Sequence, residues 1–345
     1  IALGLIYTFY YKGGDSINYF NDAQRLFDGI ITSPIAGFKA LFRITDLADY
    51  NFYKIRSGLW YYKDPSSYIV VQTITILSFL CFKSYGAVAI LFATISFSGI
   101  WMLFYTFCFI KNDLYDKFAA SVLFVPSIVF WGSGIMKDTI CIAALGWFFY
   151  GAYRVIFGSS NKILSLLILV VSGLILSKIK IYILLCFAPV ALYWFFLEKT
   201  SIKNKNLQFF LRPFILIIGC ALSILALIKI SESTDRYNIE TITNTVQTTS
   251  HYLAYVSAKE NGSGYSLSHT FDGSIASLVS LTPEAINVTY FRPYLWEAKN
   301  PVMMLSALES LAIFLLSIYT LLSFVKNKLN NTSKIPSIVV VSLIF

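Results

Sequence analysis

The stretch Gly86–Ile110, GAVAILFATISFSGIWMLFYTFCFI, holds no charged residue from end to end. About 20 apolar residues in a helix span the roughly 30 Å hydrocarbon core of a bilayer, so this run is long enough to cross. Further apolar runs lie at 66–82, 118–131, 135–157, 163–177, 181–197, 209–230 and 302–325. The end of another precedes Lys12, and a last one begins at Ile335. Of 345 residues, 57% are hydrophobic and 13% charged, against about 25% charged in soluble domains. The runs are continuous rather than alternating, which argues against a β-barrel. The fold class expected is an all-α polytopic membrane protein. With Ile1 inside one run and Phe345 inside another, a longer chain is expected; no short apolar segment with basic flanks and a cleavage site marks a signal peptide.

The formal charge of +9 does not point to nucleic acid, because the cations sit in short loops between apolar runs. That placement is the orientation code of membrane proteins. Cys81, Cys108, Cys141, Cys186 and Cys220 all lie inside apolar runs and read as small buried hydrophobes. There is no zinc, phosphate-loop or dinucleotide motif. No cofactor is expected with certainty, and no motif supports a divalent metal.

Two polar stretches divide the chain: a first outer loop at 12–65 inside a transmembrane core of 1–230, and a second outer loop at 231–300, followed by C-terminal helices at 301–345. The first carries two amphipathic pieces expected on the membrane surface. One has Ile17, Phe20, Ala23, Phe27 and Ile30 on a face, the other Ile35, Phe38, Leu41 and Phe42. Lysine-rich junctions at Lys199–Arg212 and Lys326–Lys334 read as cytoplasmic. Placing both long loops on the opposite side requires one of seven intervening runs not to cross. The expected exception is 118–131, which is short, contains Pro126 and ends in Trp131-Gly132-Ser133-Gly134.

Charges at the membrane edge are expensive, so each needs a reason. Asp15, in Lys12-Gly13-Gly14-Asp15, is either a catalytic base or the N-cap of the helix that follows. Lys137-Asp138 reads as a mutual ion pair at a helix start or as part of a site. Lys178 and Lys180 are either snorkelling side chains at a turn or cations for a phosphate. Arg292 and Glu297, in Phe291-Arg292-Pro293-Tyr294-Leu295-Trp296-Glu297, are either part of an aromatic interfacial anchor or site residues. His251 and His269, the two histidines, are weak evidence for a metal.

The order of these features resembles the membrane glycosyltransferases of the GT-C superfamily, in the branch of the protein O-mannosyltransferases and aminoarabinose transferases. The resemblance covers about residues 1–200. It rests on Asp15 with Tyr19 and Ala23, on Asp64-Pro65-Ser66-Ser67-Tyr68, and on Tyr85-Gly86. Pro126, Trp131, Ser133 and Asp138 continue it, as does the segment from Gly173 to Lys178. The chain departs from the family where a second acid is replaced by Ser16 and where an Asp-x-Asp pair is missing. The resemblance implies a GT-C-like helical bundle, Asp15 as catalytic acid or base, and Lys178 near the phosphate of a polyprenyl-phosphate sugar donor.

The function expected is transfer of a sugar from that donor to a lipid, glycan or protein acceptor at the outer face of the plasma membrane. Asp15 is the expected catalytic residue. Lys178, Lys180 and Arg292 are the expected donor-phosphate ligands, with Lys137, Asp138, Glu297 and Tyr19 in support. Two rivals stand beside it: a polysaccharide polymerase or ligase using outer-loop arginines and histidines, and a transporter, flippase or non-catalytic envelope subunit. A transporter would show two repeated halves, and no repeat is seen.

Overall fold

The computed structural model describes residues 2–10, 14–46, 48–158, 161–199 and 275–329, with scattered helical residues between 214 and 255. The described residues are helical throughout, without strands. In chain order α1 is Ala2–Leu5, continued by a π-helical turn over Ile6–Tyr10. The first polar stretch is itself folded into α2 (Asp15–Thr32), α3 (Pro34–Leu41), α4 (Tyr50–Ser57) and a 3-10 turn at Trp60–Lys63. Then come α5 (Pro65–Cys81), α6 (Tyr85–Ile110), α7 (Tyr115–Leu123), α8 (Pro126–Trp131), α9 (Lys137–Phe157) and α10 (Lys162–Lys199). After the scattered residues follow α11 (Ile275–Phe291) and α12 (Pro301–Leu329). The chain forms two compact units, Ile1–Leu184 and Leu185–Phe345.

The starts of several helices are written locally. Proline stands in the first turn of α3, α5 and α8, where its missing N–H leaves no bond unmade. Asp49 and Asp64 cap α4 and α5 by accepting backbone N–H bonds.

Among the described residues, four helical stretches are long and apolar enough to cross a membrane: Tyr85–Ile110, Lys137–Phe157, Lys162–Phe187 and Pro301–Ser323. Inside the first unit their directions follow from side-chain pairs. Ser98 meets Trp147, Tyr105 meets Tyr150 and Phe109 meets Tyr153, so α6 and α9 run parallel. They touch at glycines: a Cβ on Gly99 would come within 2.2 Å of the Ala143 carbonyl oxygen. Small residues let two backbones approach this closely. α10 returns antiparallel to α9, with Gly151 beside Leu169, Phe148 beside Gly173 and Asp138 paired with Lys180.

Because α6 and α9 are parallel, the chain between them must come back. It does so through α7 and α8: Phe118 packs on Phe107, Val122 joins Ile100 and Phe104, and Gly132 lies against Ser96. The run 118–131, expected to dip without crossing, is not among the described helices long and apolar enough to span a membrane. The helix is broken at Phe124–Val125, but the two pieces together form a return leg. α5 links the start of α9 to the start of α6. Its cap Asp64 pairs with Lys137 at the start of α9. At its other end, after a three-residue turn, Tyr85 at the start of α6 shares a 2.8 Å hydrogen bond with Ser16 in the first turn of α2.

α2 does not lie free on a bilayer. Its buried face, Tyr19, Ala23, Leu26 and Ile30, belongs to the core that it shares with Val70, Val71 and Ile74 of α5. Ile17, Phe20 and Phe27, expected on the apolar face with Ala23 and Ile30, are half-buried at its flanks. On α3, Ile35, Phe38 and Phe42 are exposed while Leu41 is buried. The expected second outer loop contains the 17-residue helix α11. Most of 231–274, including His269, and everything after Leu329 lie outside the described residues, as do Lys203, Lys205 and Arg212.

Candidate functional site

The polar end of the first unit is built from five separate segments. Gly14 holds φ at +114°, and a Cβ there would strike the Tyr7 ring at 2.3 Å, so only glycine makes this entry to α2. Asp15 is then the first residue of α2 and not its cap: Gly14 holds the cap position, and no side-chain cap bond forms. The exposed Asp15 carboxylate instead accepts a 3.3 Å bond from the Tyr61 hydroxyl. It has no cation partner among the described residues.

Tyr61 is placed by a buried acid two turns along α2. Asp22, 2% exposed, accepts the Tyr61 backbone N–H at 2.9 Å and an Arg25 guanidinium N–H at 3.2 Å. Burial pushes the Asp22 carboxyl above its usual range, against the pull of those bonds. Below Tyr61 lies Tyr19, whose ring is 4.5 Å from it and whose hydroxyl has Ser67 within reach. Burial first, then the nearby carboxylates (Asp15 for both rings), drives both phenols well above their ordinary range.

Asp64 carries the most bonds of the cluster. It accepts the Ser66 backbone N–H at 3.0 Å, the Ser66 hydroxyl at 2.8 Å and the Ser67 hydroxyl at 2.6 Å. It also pairs with Lys137 at 3.3 Å. Lys180 pairs with Asp138. The expected Lys137–Asp138 pair is thus replaced by two pairs that cross between elements. Neighbouring residues on a helix point about 100° apart, so Lys137 turns toward α5 and Asp138 toward α10.

Three carboxylates, Asp15, Asp64 and Asp138, and two ammonium groups, Lys137 and Lys180, therefore gather at one end of the apolar helices. Lys178 is not among them. It is exposed. The backbone leaves helical geometry at Lys180 itself, with φ −143° and ψ 76°, where a connection between two runs is expected from the sequence. Among the described residues, both lysines of the cluster already hold carboxylates, so no spare lysine forms an anion site here.

Arg292 and Glu297 lie in the second unit. The Arg292 Nε donates to Glu297 at 3.0 Å and Nη2 to its other oxygen, closing a two-pronged pair across the turn between α11 and α12. Glu297 also accepts the Tyr294 backbone N–H at 2.9 Å, and Tyr294 stacks on Trp296 at 4.8 Å. The Arg292 pair holds the Glu297 carboxyl below its ordinary range. The charge pair and the aromatic stack close this turn on itself.

Among the described residues no group of three or more histidine, cysteine or acidic side chains is arranged to hold a metal. Cys81, Cys108, Cys141 and Cys186 are free thiols, and His251 is exposed. The sequence reading missed Asp22 and Tyr61 as site residues and used Asp64 only as a helix start. Asp22 stands seven residues after Asp15, two turns along one face, and that spacing is the signal that was available. No protein-family model, no curated protein and no solved structure matches this chain.

Proposed function

We propose that this chain is an integral-membrane glycosyltransferase that moves a sugar from a polyprenyl-phosphate donor to an acceptor hydroxyl at the outer face of the plasma membrane. The acceptor is a lipid, a glycan or a protein. The observation that carries the reading is Asp15: a carboxylate at the polar end of candidate membrane spans that does not cap its helix, has no lysine partner among the described residues, and is held by the Tyr61 hydroxyl. A group spared from structural duty is suited to accept a proton. The similarity of residues 1–200 to GT-C enzymes adds the substrate class.

In this reading the Asp15 carboxylate takes the proton of the acceptor hydroxyl. The acceptor oxygen forms a bond to the sugar C1 as the bond from C1 to the phosphate oxygen breaks, with inversion. The phosphate leaves with the bonding electron pair. Lys180 and Lys137 turn from Asp138 and Asp64 toward the departing phosphate, and its greater charge makes that exchange favourable. Lys178 and Arg292 have no assigned part.

The test is transfer by the purified chain in nanodiscs, with a panel of polyprenyl-phosphate sugars and membrane-extract acceptors. Asp15→Asn should fold as well as the parent, since no cap bond is lost, and should transfer about 10²-fold more slowly or worse. Full activity in Asp15→Asn, or no transfer from any donor by the parent, refutes the reading.

A further inference from the structure

Beside Asp15, on the outer side of α2, a pocket of about 90 Å³ opens between that helix and the turn at Trp60–Lys63. Its lining is Asn18, Asn21, Asp22, Arg25, Trp60 and Tyr61. Trp60 is 81% exposed although the polypeptide on both sides of it is packed: Leu59 is buried, and Tyr61 is tied to Asp22. Asn18 and Asn21 are three residues apart on α2, so their amides stand side by side on its exposed surface. Arg25 is held by Asp22 and by the Gly58 carbonyl at 3.2 Å, so the guanidinium is fixed at the pocket edge.

A flat indole face, two amides and a braced guanidinium–carboxylate pair form a specific chemical set. The amides offer both donors and acceptors and the guanidinium only donors, while the buried Asp22 carboxylate, its oxygens taken by Arg25 and the Tyr61 N–H, braces the guanidinium. That set matches vicinal hydroxyls, each of which donates and accepts, and the indole covers the C–H face of a ring. The pocket contains no excess cation to select a phosphate, since Arg25 is neutralised by Asp22.

We propose that this pocket is a saccharide subsite that seats a neutral pyranose unit of the acceptor next to Asp15. Naming the sugar as the acceptor rests on the transferase reading; the binding of a sugar does not. Tyr61 links the two places, lining the pocket while its hydroxyl bonds Asp15. A glycan bound on Trp60 would present its end hydroxyl to the Asp15 carboxylate.

The experiment uses the full chain in nanodiscs, so that no sugar detergent competes. Methyl pyranosides and their di- and trisaccharides are titrated, with saturation-transfer NMR as the readout. At least one series should bind saturably, and Asp15→Asn should bind it as the parent does. Trp60→Ala should weaken that binding about tenfold, which is about 1.4 kcal/mol, and Trp60→Phe should restore most of it. Trp60 is exposed, so neither variant disturbs the core. No saturable binding by the parent, or equal binding by Trp60→Ala, overturns the subsite and leaves Trp60 as a lipid anchor. Sugar binding that survives while no donor supports transfer sinks the transferase reading and keeps the subsite.

Discussion

Replacing Asp64 should separate the two duties that this carboxylate performs. As the cap of α5 it accepts the Ser66 N–H at 3.0 Å, and loss of such a cap costs about 1 kcal/mol. As the partner of Lys137 it neutralises an ammonium group whose side chain is only 18% exposed. A hydrogen bond to a charged group contributes about 1.5–3 kcal/mol. Asp64 is itself 36% exposed, so solvent screening reduces that to about 1 kcal/mol. Asp64→Ala removes both and should cost about 2 kcal/mol by this sum of cap and pair. Asp64→Asn keeps, on its one amide oxygen, the cap and the Ser66 hydroxyl bond, loses the acceptor of the Ser67 hydroxyl and of Lys137, and should cost less than Asp64→Ala. The assay is denaturant unfolding in micelles, followed by circular dichroism, for parent, Asn and Ala chains in parallel. The order should be parent, then Asn, then Ala. If Asn and Ala are equally destabilised, the cap contributes nothing. If Ala matches the parent, Asp64 does not hold the start of α5 against α9, and the assembly of the polar end is wrong.

Three further outcomes follow from the geometry. Gly99→Ala would force a methyl group to within 2.2 Å of the Ala143 carbonyl oxygen, so α6 and α9 must part. The expected cost is about 1–3 kcal/mol, read as lowered thermal stability. Lys180→Ala should weaken donor binding by a factor of ten or more, while Lys178→Ala leaves it unchanged; equilibrium binding of a labelled donor distinguishes them. The folded pKa of Glu297 is depressed below 4.5 by Arg292, so its stabilising contribution is present above that value and is lost as pH falls through the folded pKa. Acid titration of stability should therefore be shallower for Glu297→Gln than for the parent, and equal slopes would show that the pair contributes nothing.

The sequence by itself determined the class and much of the local punctuation. Uncharged runs such as 86–110 leave a helix as the structure that satisfies every backbone group in hydrocarbon, and α6 occupies that run almost residue for residue. Asp64-Pro65 marked the start of α5 and Pro126 the start of α8, because capping and the fixed φ of proline act within one turn. The break before Pro126 and the interruption near Lys180 were legible for the same local reason. Tertiary structure alone decided which run turns back. Hydropathy counts runs but carries no direction, and the parallel packing of α6 on α9 through Gly99 and Gly146 makes the chain between them the return leg. It also decided the partners of the charges. Lys137 and Asp138 are adjacent in the chain yet diverge on the helix, so each is satisfied by a residue 42 or more positions away, Asp64 or Lys180. Lys178 and Lys180 look equivalent in sequence, but Lys180, where the backbone leaves helical geometry, reaches Asp138, while Lys178 is exposed. Asp15 ceased to be a helix cap only when Gly14 took the cap position and Tyr61 came across from 46 residues away to bond the carboxylate.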